Sequence, residues 1–167
     1  LAGLGEHGEA AEAFRQAIGL VPDHAPSWSH LGLAQERLGL LGDAAESFWR
    51  AGQISPEEAG SWLHRGTSLS RLFRFREALE AFKRATGRKP GDALAWHETG
   101  IALRGLGRAG EAVDAFERAL ALEPDRPATL SALGQTYMIL ERFGEAAEVL
   151  GRAALLGPED PETWFRK

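Results

Sequence analysis

The sequence predicts an all-α solenoid, built from helix–turn–helix repeats of about 34 residues each. The first observation is a set of prolines that recur at one fixed interval without a slip, at Pro22, Pro56, Pro90, Pro124 and Pro158. The second is that the same residue types recur at fixed distances from each proline, with no insertion or deletion. Such a period is typical of repeat arrays, in which each repeat packs only against its neighbours.

The repeat boundaries follow from this period, with each repeat beginning three residues after a proline. The predicted single array consists of a partial repeat at 1–24, full repeats at 25–58, 59–92, 93–126 and 127–160, and the start of a further repeat at 161–167. Because both ends fall inside a repeat, the sequence favours a segment of a larger protein, with an enzymatic part elsewhere as one alternative.

The first helix of each repeat is predicted from an apolar stripe at positions 4, 7, 8 and 11, a spacing that places these residues on one helical face. Position 8 is glycine, which costs about 1 kcal/mol in a helix interior relative to alanine. We therefore expect the partner helix to approach so closely that a Cβ would not fit. Position 4 is predicted to lie in the core and holds Trp28, Trp62, Trp96, Leu130 and Trp164, whereas position 8 holds Gly32, Gly66, Gly100 and Gly134.

The second helix of each repeat is predicted from a large residue at position 24 between alanines at positions 20 and 27. Small residues on either side of a ring allow two helices to close tightly around it. Proline at position 32 ends this helix because it lacks an N–H group and clashes with a preceding carbonyl. The large residues are Phe14, Phe48, Phe82, Phe116 and Leu150.

The motif Trp28-x-x-Leu31-Gly32, then Ala44-x-x-x-Phe48-x-x-Ala51 and Pro56, resembles the tetratricopeptide repeat family, and the likeness covers all 167 residues. The resemblance implies a right-handed superhelix in which first helices line a concave groove and second helices lie outside. Arg65 and Thr99 depart from the family pattern at position 7, where leucine is usual. Looser packing is expected at these two positions.

The composition excludes several classes of protein. The net charge is −5, which disfavours general binding of nucleic acid. The charge is uneven, however, since residues 59–92 carry eight basic residues against three acidic ones, a net of +5. The absence of cysteine excludes disulfides and thiolate metal sites. No apolar run is long enough to span a membrane, and a cytoplasmic location is expected. Sixteen arginines against three lysines, with no asparagine, are typical of a GC-rich bacterial genome.

The motifs that could carry chemistry favour a non-catalytic protein without cofactor or metal. The run Gly105-Leu-Gly107-Arg-Ala-Gly110 matches a dinucleotide-binding fingerprint, but that fingerprint requires a preceding strand. Here the run is predicted to form the turn between two helices. His30 and His64 at position 6, followed by Glu98, are interpreted as a polar row rather than a zinc site, which needs three or four converging ligands. No catalytic triad or phosphate loop is present.

The stripe of the first helix that faces away from the core is the predicted binding groove for a peptide or partner protein. It mixes apolar residues, histidines and arginines, as a peptide groove would, although a solvated face is the alternative. Arg37, Arg71 and Arg104 recur along it, so the partner is expected to be acidic or to bear a carboxylate. The candidate groove residues are His30, Leu33, Arg37, His64, Thr67, Arg71, His97, Glu98, Ile101, Arg104, Gln135 and Met138.

Two further interaction surfaces are predicted. Trp49 at position 25 of the first full repeat is expected to be exposed and is a candidate secondary contact. The chain ends form the other, because an array without polar capping helices tends to stack on another copy. Binding scaffold, segment of a larger protein and self-assembling scaffold therefore remain the three alternatives.

Overall fold

The computed structural model describes residues 2–157, with side chains from Gly5 onward. Within that range the chain forms α-helices and no strand, so the predicted all-α class is confirmed. The bounds are α1 Ala2–Leu20, α2 Ala25–Arg37, α3 Leu41–Ile54, α4 Ala59–Arg71, α5 Phe75–Arg88, α6 Ala93–Gly105, α7 Ala109–Leu122, α8 Pro127–Ile139 and α9 Phe143–Leu156. Trp164 and the predicted helix start at Asp160 lie outside the described residues.

The helices belong to two compact units, Leu1–Pro90 and Gly91–Lys167. In the first unit α1 packs on α2, α2 on α3, α3 on α4 and α4 on α5. In the second unit α6 packs on α7, α7 on α8 and α8 on α9. Within each unit, a helix therefore packs mainly against its neighbours in the chain, as a repeat array requires.

The glycines at position 8 are explained by the large residue at position 24 of the same repeat. A Cβ on Gly32 would lie 2.8 Å from Cε1 of Phe48, and one on Gly100 would lie 2.6 Å from Cε1 of Phe116. Gly66 meets the Phe82 ring in the same way. The predicted close approach is confirmed, and its immediate cause is an aromatic ring seated on the glycine backbone.

The position-4 residues are not all buried, which corrects part of the predicted core. Trp62 is 1% exposed and Leu130 is fully buried. Trp28 and Trp96 are only half-buried. The indole Nε1 of Trp28 donates a hydrogen bond to the carbonyl oxygen of Pro22 at 2.8 Å, which keeps one edge of that ring at the exposed turn.

The two departures at position 7 differ from each other. Thr99 is buried, and its hydroxyl donates to the carbonyl oxygen of Ala95 at 2.7 Å, so a hydrogen bond satisfies the polar atom. Arg65 is half-buried, and its buried Nε has no hydrogen-bond partner in the described part of the chain. Its guanidinium lies 5.9 Å from the centre of the Trp62 ring. Thr99 is therefore as buried as the leucines at this position, whereas Arg65 is not, and looser packing at the two positions stays a prediction.

The turn between the two helices of a repeat has a residue with positive φ at position 15. Gly39 and Gly107 have φ of 75° and 73°, a conformation that suits glycine. Phe73 and Glu141 adopt φ of 59° and 58° at the equivalent place, where a side chain is strained. Because Gly107 lies in the turn between α6 and α7, the fingerprint-like glycine run lies where the repeat period placed it.

Three second helices begin with the same ion pair, which was not predicted from the sequence. Arg74 precedes α5 and binds Glu77 through two hydrogen bonds of 2.7 Å each. Arg108 binds Glu111 and Arg142 binds Glu145 with the same two-pronged geometry. Most of the charged groups at the start of these helices are therefore paired with each other.

Candidate functional site

The predicted groove residues fall on the first helices of both units. In the first unit they lie on α2 and α4, and we call this set the unit-1 face: His30, Leu33, Arg37, His64, Thr67 and Arg71. In the second unit they lie on α6 and α8, and we call this set the unit-2 face: His97, Glu98, Ile101, Arg104, Gln135 and Met138. Every unit-1 residue is exposed except Thr67, which is half-buried. The unit-2 face is more enclosed, since only Gln135 and Met138 are exposed.

The histidines of the unit-1 face are held by aromatic stacking. The His30 ring stacks on Phe14 at 5.2 Å between centroids, with an interplanar angle of 19°. The His64 ring stacks on Phe48 at 5.1 Å and 17°, so the geometry repeats. The Nδ1 of His30 also bonds to the carbonyl oxygen of Pro26 at 2.7 Å and therefore carries the proton. Both rings thus present a fixed edge on the unit-1 face.

A carboxylate links the two first helices of the unit-1 face. Glu36 of α2 accepts a hydrogen bond from the Ser68 hydroxyl of α4 at 2.7 Å, and its other oxygen lies 3.5 Å from Nδ1 of His64. Burial alone would raise the pKa of Glu36, but hydrogen bonds from His64 and Ser68, with the charges of His64 and Arg71, outweigh it and lower the pKa. Glu36 is therefore ionised at neutral pH and part of this face. It lies on the predicted stripe, but only its pairing with the next repeat shows its role.

The arginines of the two faces differ in what they bind. Arg37 and Arg71 are exposed, and neither has a hydrogen-bond or ion-pair partner within the described part of the chain. In contrast, Nη1 of Arg104 donates to Oε1 of Gln135 at 2.9 Å and to the carbonyl oxygen of Ala132 at 3.3 Å. The unit-1 face therefore has two guanidinium groups without a hydrogen bond or ion pair in the described chain, although the charge of Arg71 acts on Glu36. The guanidinium group of the unit-2 face is already hydrogen-bonded.

The unit-2 face has a second polar pair, which is partly buried. Nδ1 of His97 lies 3.0 Å from the hydroxyl of Thr129. Burial, with the charges of Arg126 and Arg104, lowers the pKa of His97 to about 4, so its imidazole is neutral at physiological pH. Burial likewise raises the pKa of Glu98, although the charge of Arg126 opposes this shift. The polar groups here are mostly used internally, and the exposed Met138 supplies apolar surface.

A small cavity of about 250 Å³ lies beside His30 on the unit-1 side. A hydroxyl pair borders it, with the Ser29 and Ser61 oxygens 2.9 Å apart. Its polar and apolar walls suit a small side chain of a bound segment. The lining residues are Ala25, Pro26, Ser29, His30, Ser55 and Glu58.

Trp49 is half-buried rather than exposed, which corrects the sequence prediction. The guanidinium of Arg50 lies 4.8 Å from the centre of its ring and covers one side of it. Arg50 is in turn paired with Glu46 at 3.3 Å. This cation–π arrangement leaves less aromatic surface for a partner than the sequence suggested.

The described residues contain no cluster of three or more histidine, aspartate or glutamate side chains placed to hold a metal ion. Among the described helices, none has the length and apolar character needed to cross a membrane.

These features define the class of the protein: a helical-repeat scaffold whose first helices carry mixed polar and apolar faces. Tetratricopeptide repeat models match residues 1–59, 63–127 and 103–164. The chain therefore belongs to the tetratricopeptide repeat family, as its motifs predicted. Proteins of this family bind peptides or other proteins, and scaffolds of this kind are generally non-catalytic.

Solved structures support the fold. A crystal structure of MamA has a TM-score of 0.87 at 20% identity, covering 98% of this chain and 93% of that one. MamA from residue 41 to its end, from Desulfovibrio magneticus RS-1, has a TM-score of 0.85 at 20% identity, with 91% and 86% covered. YrrB, a TPR protein with an unusual peptide-binding site, has a TM-score of 0.83 at 23% identity, with 96% and 82% covered. No curated protein matches the chain. At these identities the likeness concerns the fold alone.

Proposed function

We propose that the protein is a non-catalytic scaffold whose unit-1 face binds a peptide segment bearing a carboxylate. One observation carries the proposal: Arg37 and Arg71 occupy the same position in successive repeats, are both exposed, and have no hydrogen-bond or ion-pair partner in the described chain. Guanidinium groups bind carboxylates through two parallel hydrogen bonds, which gives both energy and geometric specificity.

The contrast with the second helices strengthens this reading. Arg74 is committed to Glu77, and the same pair recurs at Arg108 and Arg142. At the start of these three second helices, an arginine is thus paired with an acid three residues later. Arg37 and Arg71 lack an acid at that spacing, so the N–H groups of both side chains can bind a ligand carboxylate.

The rest of the unit-1 face suits the apolar part of such a segment. Leu33 is exposed on the same face as His30 and His64, whose rings stack on Phe14 and Phe48. Because these rings are already held in place, little conformational entropy is lost when a ligand packs on them. Glu36 has a lowered pKa and is ionised beside His64, so it would repel a second carboxylate of the ligand there. The preferred ligand is therefore a segment with one or two acidic residues next to apolar ones, rather than a uniformly acidic tail.

The test uses an array of short synthetic peptides, made in pairs that differ only by glutamate or glutamine at one position. The native chain should bind the carboxylate member of a preferred pair about tenfold more tightly, and Arg71→Gln should remove that difference. Arg118→Gln is the matched control, because Arg118 is an exposed arginine on α7. Equal binding of both members of every pair, or equal loss in the two variants, would contradict the proposal.

A second candidate function, self-association, rests on the end of α9. Leu155 is 88% exposed, and Leu156 beside it is also exposed. Two adjacent leucines on a helix surface favour burial against another copy. Sedimentation velocity over a range of concentrations should show association that Leu155→Gln with Leu156→Gln removes. A concentration-independent monomer would exclude this role for α9.

A further inference from the structure

A cavity of about 340 Å³ opens beside the last turns of α5, on a different part of the first unit from the unit-1 face. We call it the basic cavity, because three of its six lining residues are cations. It is lined by Pro56, Trp62, Lys83, Arg84, Gly87 and Arg88. Its volume is within the range of small-ligand sites, and the sequence reading assigned it no function.

The spacing of the cavity-lining residues along α5 leaves a notch in the helix surface at Gly87. Lys83 and Gly87 are one helical turn apart, as are Arg84 and Arg88, so these residues occupy two adjacent rows on one surface of the helix. Gly87 is the one without a side chain, and a Cβ there would meet nothing within 4 Å. The three cationic side chains therefore surround an open space above Gly87.

The floor of the basic cavity is rigid. Trp62 is almost completely buried, and the guanidinium of Arg84 lies 4.4 Å from the centre of its ring. This cation–π contact fixes one face of Arg84, whereas its N–H groups have no hydrogen-bond or ion-pair partner within the described residues. Arg84 is thus a positioned donor that needs no reorganisation to meet an anion.

The other two cations are held only by exposed ion pairs. Lys83 binds Glu80 at 3.0 Å, and Arg88 binds Glu57 at 2.9 Å. Exposed pairs of this kind contribute little to stability, so a more strongly charged ligand displaces them readily. The repeat that contributes these cations, residues 59–92, has a net charge of +5 in a chain of net charge −5.

Comparison with the other repeats shows that the fold does not need two of these cations, Lys83 and Arg88, whereas the position of Arg84 holds arginine in every other full repeat. At the position of Arg88 the other repeats have an apolar residue, and at the position of Lys83 the following two repeats have Glu117 and Gly151. A basic last turn suits the dipole of any helix, yet α3, α7 and α9 end without one. The apolar equivalents of Arg88 are Leu20, Ile54, Leu122 and Leu156.

We infer that the basic cavity binds a phosphate monoester. A phosphate monoester carries a charge close to −2 and three acceptor oxygens, which match Lys83, Arg84 and Arg88. Pro56, which is exposed, forms an apolar wall against which the carbon side of the ester packs. The ester belongs either to a phosphorylated side chain of a protein or to a small molecule, and the recognition chemistry is the same.

The experiment titrates the isotopically labelled chain with inorganic phosphate, phenyl phosphate and a short phosphoserine peptide. Two-dimensional NMR then follows the Trp62 indole N–H and the backbone amides of residues 83–88. Phenyl phosphate should shift these signals, and Gly87→Leu, which fills the notch, should weaken its binding about tenfold or more. Leucine is a better helix former than glycine and occupies the equivalent place at Leu155, so this variant keeps the fold.

The control and the second variant separate a site from general attraction of anions. Arg88→Leu, which copies the other repeats, should weaken binding as much as Gly87→Leu, whereas Arg118→Gln should change it by less than about twofold. Tighter binding of the phosphoserine peptide would identify a protein ligand, and equal or tighter binding of phenyl phosphate a small one. The proposal is overturned if neither ester shifts these signals, if only inorganic phosphate does, or if Arg118→Gln weakens binding as much as Arg88→Leu.

Discussion

Replacing Phe82 by alanine should lower the free energy of unfolding of the first unit by about 3–5 kcal/mol. The magnitude belongs near the upper end of this range because Phe82 is fully buried and the residues around it are small. Gly66 lies under its ring, and Ala78 and Ala85 flank it on α5. None of these side chains can extend into the space that the ring leaves. Since domains of this size are stable by about 5–15 kcal/mol, the change should remove a large part of the total.

The packing of Phe82 on Gly66 makes a sharper test by a double-mutant cycle. Gly66→Ala alone should destabilise by about 1–3 kcal/mol, because its Cβ overlaps the Phe82 ring. In the Phe82→Ala background the same change should be neutral or stabilising by up to about 1 kcal/mol, because the ring is gone and alanine favours the helix. Urea unfolding followed by circular dichroism measures all four proteins. Additive effects of the two substitutions would refute the assigned contact. The substitution Phe82→Leu reproduces the pairing of Leu150 with Gly134 and should cost only about 1–2 kcal/mol.

Three other predictions follow from the turn and from the two faces. Phe73→Gly should stabilise the chain by about 1 kcal/mol, measured by urea unfolding, because Phe73 is 80% exposed and has a φ of 59° where two other repeats have glycine. A decrease in stability would contradict this reading of the turn. The pKa of His97 is lowered to about 4, so the contribution of the neutral imidazole to stability is complete above pH 6.5 and is lost as pH falls toward 4. His97→Gln should therefore make the free energy of unfolding less dependent on pH over that interval. An unchanged pH profile would show that His97 is not buried as described. Ser68→Ala should raise the lowered pKa of Glu36 toward its ordinary value in an NMR titration, and no shift would mean that the 2.7 Å hydrogen bond is not formed.

The sequence predicted what the period repeats and missed what single repeats add. Gly32 under Phe48 and Gly100 under Phe116 were predictable because the same pairing recurs from repeat to repeat. Trp28 was assigned to the core by the same logic, yet it is half-buried because its indole N–H bonds to a carbonyl at the exposed turn. A periodic pattern specifies which side of a helix a residue occupies, but not which hydrogen bond holds its edge.

The candidate site was less predictable because it depends on how side chains of different repeats meet. The stripe was identified from positions, but the sequence treated Arg37, Arg71 and Arg104 as equivalent. The structure separates them, since only Arg104 reaches Gln135 on the next first helix. Likewise, Glu36 and His64 belong to different repeats, and nothing local indicates that they approach to 3.5 Å. Whether these groups bind a partner remains a prediction.

The Phe48 ring contacts residues of two repeats, and this determines where the chain can be truncated without loss of stability. One side of the ring sits on Gly32 of its own repeat, and the imidazole of His64 from the following repeat stacks on the ring. The ring therefore belongs energetically to two repeats at once. A truncation at the repeat boundary near residue 58 would keep Phe48 but strip away its stacking partner. A fragment ending after Arg71, with the whole of α4 retained, should keep this ring covered. Stability along a truncation series should therefore fall in steps at the loss of α4, which carries His64, and of α2, which carries His30.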